Sequence, residues 1–455
     1  MNLQQLYDHS PVWTQNLMCS LKGWQIQRRR YGSAFHRAMV AYESRTIDPA
    51  KRLLRLFETV RFVPYYKPIV EKKEFVELYN DLINNEIVLL GGVKKLLSMF
   101  PVIDKNEVKS HWTDFVNTTY TGKTIIMHTS GTTGGGLVFP YSVEMENEQW
   151  AVWWRYRRAL GIGFDTWCGW FGGRVIISPQ NRRSPYWRIN RPGRQVMFSL
   201  YHLTPETVAD YYAEICQRDL KWLHGYPSSL SRFATLIMEA GLPPLKGVRV
   251  LTTGAENLYD YQVEQMRHAF PDAVVRQHYG LAEGVANMSQ DLDGEWHLDD
   301  DFCRVEFIPV DAFDSTTCRI IGTNLTNLAF PLLRYDTGDI ACVEWKDGSP
   351  RLLRIEGRSN DYITLPGGAK INSGLDYILK DCTSVREAQL HQHTLTDFEM
   401  RIVRNPGYDA AVDEPYIRNG FHERVGTNVG LTFTYVDEIP KTKAGKFKMF
   451  VSDLQ

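Results

Sequence analysis

The sequence predicts an α/β protein. A large N-terminal domain of mainly parallel sheets with helices on the faces, plus a β subdomain, precedes a small mobile α+β C-terminal domain. Three observations lead there. Strand-like and helix-like segments alternate over residues 121–289, the pattern of a parallel sheet covered by helices. Short strands and turns replace that alternation over 290–356. The 455 residues exceed what one core usually holds, so a separate module is expected over 357–455, giving domains 1–356 and 357–455.

Residues 1–120 read as mostly helical, because "RLLRLFETVRFV" and "EFVELYNDLINNEIVLLGGVKKLLSMF" place apolar residues at helical spacing. "KTIIMHT" reads as a strand, "VEMENEQWAVWWRYRRALGI" as a helix and "RVIIS" as a strand. "TPETVADYYAEICQRD" reads as a helix capped by Thr204. Strands "KWLHGY", "VRVLTTG" and "AVVRQHYG" then alternate with helices "PSSLSRFATLIMEAG" and "LYDYQVEQMRHAF". "CRVEFIPV", "CRIIGTNLT" and "ACVEWKDGSPRLLRIEG" supply the β subdomain.

Composition narrows the function. Lys plus Arg number 52 against 53 Asp plus Glu, a net charge of −1, which excludes a nucleic-acid binder working by bulk charge. Seven cysteines, an odd number with no CxxC pair, fit buried free thiols in a cytoplasmic protein. Cys303 and Cys318 are expected near each other on a hairpin. The opening residues lack a signal peptide's pattern, and no apolar run reaches the ~20 residues of a membrane span. Arg28, Arg29 and Arg30, with Trp24, read as the solvated basic face of a helical cover. The alternative is peripheral contact with an anionic membrane.

"HTSGTTGGGLVF" (128–139) carries the chemistry. Glycines turn a backbone so that its N–H groups converge, and Ser and Thr hydroxyls add donors, which makes a nest for phosphate. It is not a P-loop, because Leu137 stands where that motif needs Lys.

The segment "TSGTTG" (129–134) resembles the phosphate loop of the adenylate-forming superfamily. Five more of that family's motifs follow in order: "TTGAE" (252–256), "YGLAE" (279–283), "RYDTGD" (334–339), "GRSND" (357–361) and "PKTKAGK" (440–446). "HGYPSSLSRFA" and the chain length resemble the phenylacetate–CoA ligase branch and its CapK-like relatives in surface-polysaccharide clusters.

The resemblance implies an AMP-forming acid ligase using ATP and Mg²⁺. Thr129, Ser130, Gly131, Thr132, Thr133 and Gly134 would hold phosphates, and Glu283 would ligate Mg²⁺. Gly254, Ala255 and Glu256 would lie near adenine, and Tyr279, followed by Gly280, would stack on it. Asp339 and Arg358 would contact the ribose, Asn360 would be the hinge, and Lys446 would stabilise the transition state. Trp170, Phe171, His224, Tyr226 and Ser228 are candidates for the acid pocket, which would suit a modest aromatic or polar acid. The chain departs from the family pattern at Ala282, where a hydroxyl is usual, and at Asn360.

The acceptor stays open. "LPGGAKIN" (365–372) would line a coenzyme A channel or is a turn. Arg174, Arg182, Arg183, Arg188, Arg191 and Arg194 read equally as a cradle for a nucleotide-sugar acceptor or as a solvated loop. Three readings stand: acyl transfer to a thiol such as coenzyme A, transfer to an amine or hydroxyl acceptor in polysaccharide assembly, and a nucleotide-binding partner protein without catalysis. The oligomeric state is not specified by the sequence.

Overall fold

A computed structural model describes residues 3–84, 90–129, 136–311, 314–358, 362–366, 370–372, 375–379, 382, 384–405, 407–441 and 447–454. Two compact units emerge. One comprises Met1–Leu21, Asp165–Gln277 and Glu356–Gln455. The other comprises Lys22–Phe164 and His278–Ile355.

In the first unit, strands Cys168–Phe171, Gln195–Phe198, Trp222–Gly225 and Val250–Gly254 form a parallel array. Cys168 lies opposite both Gln195 and Trp222, and Trp222 opposite Val250. Trp187–Asn190 adds an antiparallel edge. Helices Val208–Gln217, Pro227–Glu239 and Asp260–Ala269 contribute Tyr211, Phe233 and Met266 to a core shared with Phe171, Phe198 and Leu251. The expected "RVIIS" strand is absent. Pairing ends at Phe171, where Gly172 and Gly173 follow, and Ile176 and Ile177 are buried without joining the sheet. The helix after Thr204 begins instead at Val208, because the Thr207 hydroxyl bonds back to the His202 carbonyl and turns the chain first.

The C-terminal part of this unit is a four-stranded sheet. Val385–Gln392 and Asp397–Arg404 pair antiparallel, Gly430–Tyr435 runs parallel to the latter, and Phe450–Ser452 runs parallel to the former. Helix Ala410–Val425 buries Ile417 and Phe421 against Phe398, Met400 and Leu390.

The second unit is helical where the apolar spacing is helical. Asp48 caps Pro49–Val60, accepting the Ala50 and Lys51 N–H groups, and Ser142 caps Val143–Ala159. "KTIIMHT" does form a strand, Thr124–His128, but among the described residues it pairs only with Val138–Ser142, in a hairpin. Strands Cys303–Pro309, Thr317–Asn324, Tyr335–Lys346 and Ser349–Arg358 supply the β-rich portion. Cys303 lies across from Asn324 and Cys318 from Pro309, so the two thiols occupy opposite ends of their hairpin. All seven cysteines are free. Among the described residues no helix is long and apolar enough to cross a membrane.

Candidate active site

Strand Val274–Gly280 begins in the first unit and ends in the second. Ligands in parallel sheets collect at such carboxyl ends, and "HYGLAEG" starts there. Tyr279 donates its hydroxyl to Asp339 Oδ2 at 2.6 Å. Asp339 is 7% exposed, and its N–H bonds the Thr337 hydroxyl at 3.1 Å. Gly338 before it adopts φ +72°, which favours glycine. Burial first, then the Asp339 charge, lift the Tyr279 phenol well above its usual range, so it stays a donor. Glu283 is 7% exposed, and Asn324 Nδ2 holds its carbonyl at 2.7 Å.

A buried polar chain supports this strand end. His278 Nε2 and Trp153 Nε1 both meet Asn287 Oδ1, at 3.1 and 2.9 Å. Asn287 Nδ2 donates to Asp299 Oδ2, and Arg155 bridges Asp299 and Asp301. Burial drives the His278 imidazole down to about 3, outweighing the Asn287 bond, so the ring is neutral. Burial pushes Asp299 up to about 6 in spite of Arg155. Sequence reasoning missed this chain, whose bonded members lie 9 to 146 residues apart. The one legible signal was the position of His278 just before the motif.

Thr129 enters the glycine-rich loop. Its N–H donates to Leu137 O at 2.9 Å, and its hydroxyl accepts the Leu137 N–H at 2.8 Å. A methyl group added to Gly136 would lie 1.8 Å from the Thr129 carbonyl, so only glycine fits where the loop returns. Leu137, standing where a P-loop has Lys, is buried at 1% exposure. Ser130, Gly131, Thr132, Thr133, Gly134, Asn360 and Lys446 lie outside the described residues, as does the side chain of Arg358 at the end of its strand.

In the first unit, Gly254 ends its strand and Ala255 takes φ +67°. This conformation, rare for a residue with a Cβ, turns Glu256 inward. The Glu256 carboxylate accepts the Ser228 N–H at 3.3 Å, in the first turn of helix Pro227–Glu239, and the Phe447 N–H at 2.7 Å. A helix N-terminus favours such an anion. Burial raises the Glu256 carboxyl, while these donors oppose the rise. Glu256 thereby secures the residue that follows Lys446, a tie between segments 191 residues apart.

The acid-pocket candidates divide. Tyr226 immediately precedes that helix. His224 Nδ1 meets the Thr252 hydroxyl at 2.9 Å, which Trp222 also contacts. Trp170 is half-buried on the opposite strand face from Phe171. Phe171 is fully buried, stacked on Phe198 and Phe233, and belongs to the core.

Two charged clusters are also spoken for. Arg188 is 2% exposed and bonded to Gln15 and to the Pro185 and Trp187 carbonyls, which removes it from any anion cradle. Arg29 and Arg30 grip the Glu146 carboxylate, which ties that part of the basic run to helix Val143–Ala159, while Arg29 stays 39% exposed.

The fold is shared with solved structures of a CoA ligase. It is similar to 2-hydroxyisobutyryl-CoA ligase bound to R3-HIB-AMP, with 16% identity, 89% of each chain covered and a TM-score of 0.62. The same ligase bound to 2-HIB-AMP gives a TM-score of 0.63 over the same coverage. Residues 363–453 match the CapK C-terminal domain, and the chain is 24% identical to Protein CapK of Staphylococcus aureus over the full length of both.

Proposed function

We propose that this protein activates a small carboxylic acid as its acyl-adenylate and passes the acyl group to an acceptor. The carrying observation is the Tyr279–Asp339 pair: a carboxylate aimed by a phenol at a strand end, within an adenylate-forming fold. A carboxylate is already ionised at neutral pH, so its attack on the α-phosphorus needs no base. A C–O–P bond forms, the bond to the β-phosphate breaks, and pyrophosphate leaves.

The chain's own residues position the reactants. The Thr129 hairpin holds the neck of the phosphate loop, Asp339 accepts from the ribose hydroxyls, and the Tyr279 ring packs on adenine. Lys446, six residues before the short C-terminal strand ends, neutralises charge on the α-phosphate. Glu256 supports that role by fixing the N–H of Phe447. Glu283 would hold Mg²⁺, which would supply positive charge beside the phosphates. The hard oxygen donor of Glu283 suits it.

Acyl transfer to the thiol of coenzyme A is the leading second step, in line with the ligase neighbours. Full-length likeness to CapK favours a second reading, transfer to an amine or hydroxyl in surface-polysaccharide assembly. Incubation with Mg-ATP and a panel of acids, followed for pyrophosphate and for loss of free thiol, separates them. Pyrophosphate release with thiol loss supports the first. Release without thiol loss, with amide or ester formed on an added amino sugar, supports the second. In either case Lys446→Ala is expected to abolish release while ATP still binds.

A further inference from the structure

The C-terminal sheet carries a side-chain cluster that the adenylation reading does not use. His391 lies in strand Val385–Gln392 and His393 follows it by two residues, so both imidazoles point to one face. Gln392 between them points the other way, is fully buried, and exchanges two hydrogen bonds with the Thr364 backbone. Asp453 follows the neighbouring strand Phe450–Ser452, and its N–H donates to the Gln392 carbonyl at 2.9 Å. The fold thus places three side chains from two strands at one point.

Their geometry is that of a ligand set. Asp453 Oδ1 is 2.8 Å from His391 Nε2, and Oδ2 is 3.0 Å from His393 Nδ1. The two rings lie 4.0 Å apart. One nitrogen from each ring and one carboxylate oxygen all fall within 4.8 Å of one another. Metal–nitrogen bonds of about 2.0–2.1 Å set tetrahedral ligands roughly 3.3 Å apart, so side-chain movements of about 1 Å complete the site.

The far sides of the rings are also provided for. Glu399 Oε2 lies 3.3 Å from His393 Nε2 and 4.0 Å from His391 Nδ1. A ligating imidazole usually donates its remote N–H to just such a carboxylate. Arg401 bonds Glu399 at 2.8 Å and also contacts His391 Nδ1 at 3.1 Å. On ligation the second contact gives way, and Nδ1–H turns to Glu399.

We propose that His391, His393 and Asp453 form a binding site for a divalent transition metal ion of zinc type, with Glu399 as the positioning residue behind both imidazoles. Two neutral imidazoles and a carboxylate match that class better than a hard, all-oxygen ion. The ion clamps the three-residue edge strand Phe450–Ser452 to its neighbour. That strand leads directly out of the lysine motif, so segment 447–453 is held at Phe447 by Glu256 and at Asp453 by the metal.

The test is titration of the chelator-treated full chain with Zn²⁺ by calorimetry and with Co²⁺ by visible absorption. One equivalent is expected to bind, with a Co²⁺ d–d band of low-coordinate intensity, and Zn²⁺ should raise the Tm. His391→Ala, His393→Ala and the near-isosteric Asp453→Asn should each weaken Zn²⁺ at least ~10-fold, and Glu399→Gln by ~10-fold. His268→Ala, which alters an exposed helical histidine, should change nothing. Wild-type affinity equal to that of Asp453→Asn and of the His391→Ala/His393→Ala pair would overturn the proposal, as would equal loss on His268→Ala.

Discussion

Tyr279→Phe removes one hydroxyl and leaves the ring in place. In the native chain that hydroxyl sits 2.6 Å from Asp339 Oδ2, and the carboxylate is only 7% exposed. A hydrogen bond to a charged group contributes ~1.5–3 kcal/mol, so the variant should lose about that much in denaturant unfolding. The bond forms before nucleotide arrives, so ATP affinity falls only through what is lost in aiming Asp339. Re-immobilising one freed side chain costs about 0.5–1.5 kcal/mol, which is a roughly 2- to 13-fold rise in KM for ATP. Tyr279→Ala also removes the ring proposed to stack on adenine, a further ~1–3 kcal/mol. Steady-state pyrophosphate release across an ATP series, beside unfolding curves, measures both quantities. If Tyr279→Phe stays within two-fold in KM and about 0.5 kcal/mol in stability, this bond aims nothing and the reasoning fails.

Further perturbations test the surroundings. His278, driven down to about 3, binds fewer protons folded than unfolded between that value and its ordinary 6.5. Its contribution to stability is therefore complete above pH 6.5 and is lost as pH falls, by at most ~1.4 kcal/mol per unit. Unfolding at pH 6.5 and 5.0 should show His278→Gln sparing up to ~2 kcal/mol of the wild-type loss; identical pH slopes would contradict it. Gly136→Ala forces a methyl against the Thr129 carbonyl, an overpacking cost of ~1–3 kcal/mol, and should raise KM for ATP. An unchanged KM would mean the loop neck tolerates opening.

Much of the scaffold was readable before any coordinates, and what escaped has physical causes. Periodicity located the helices Pro49–Val60, Lys73–Asn84 and Leu90–Ser98 and the strands at 222–225, 250–254 and 274–280, because their apolar residues repeat at helical or strand spacing. "RVIIS" misled because an apolar run can be buried without pairing, and nothing local distinguishes Ile176 and Ile177 from strand residues. The strand end bearing Tyr279 was legible; its bond to Asp339, 60 residues on, was not. Glu256 is expected near adenine from its motif, but the bonds by which its side chain closes a helix end and holds Phe447 are set by the tertiary fold. Phe171 and Trp170 adjoin in sequence but face opposite sides of one strand, and composition alone could not assign which side was core. Arg188 reads equally as part of an anion cradle or of a solvated loop, because charge is visible in sequence and burial is not.

The proposed activity is formation of an acyl-adenylate by this chain. Exchange of labelled pyrophosphate into ATP, measured with and without a panel of small carboxylic acids, tests it most directly. Exchange is expected to depend on one or a few acids and to disappear in Lys446→Ala. ATP binding without acid-dependent exchange, for every acid tried, would contradict it.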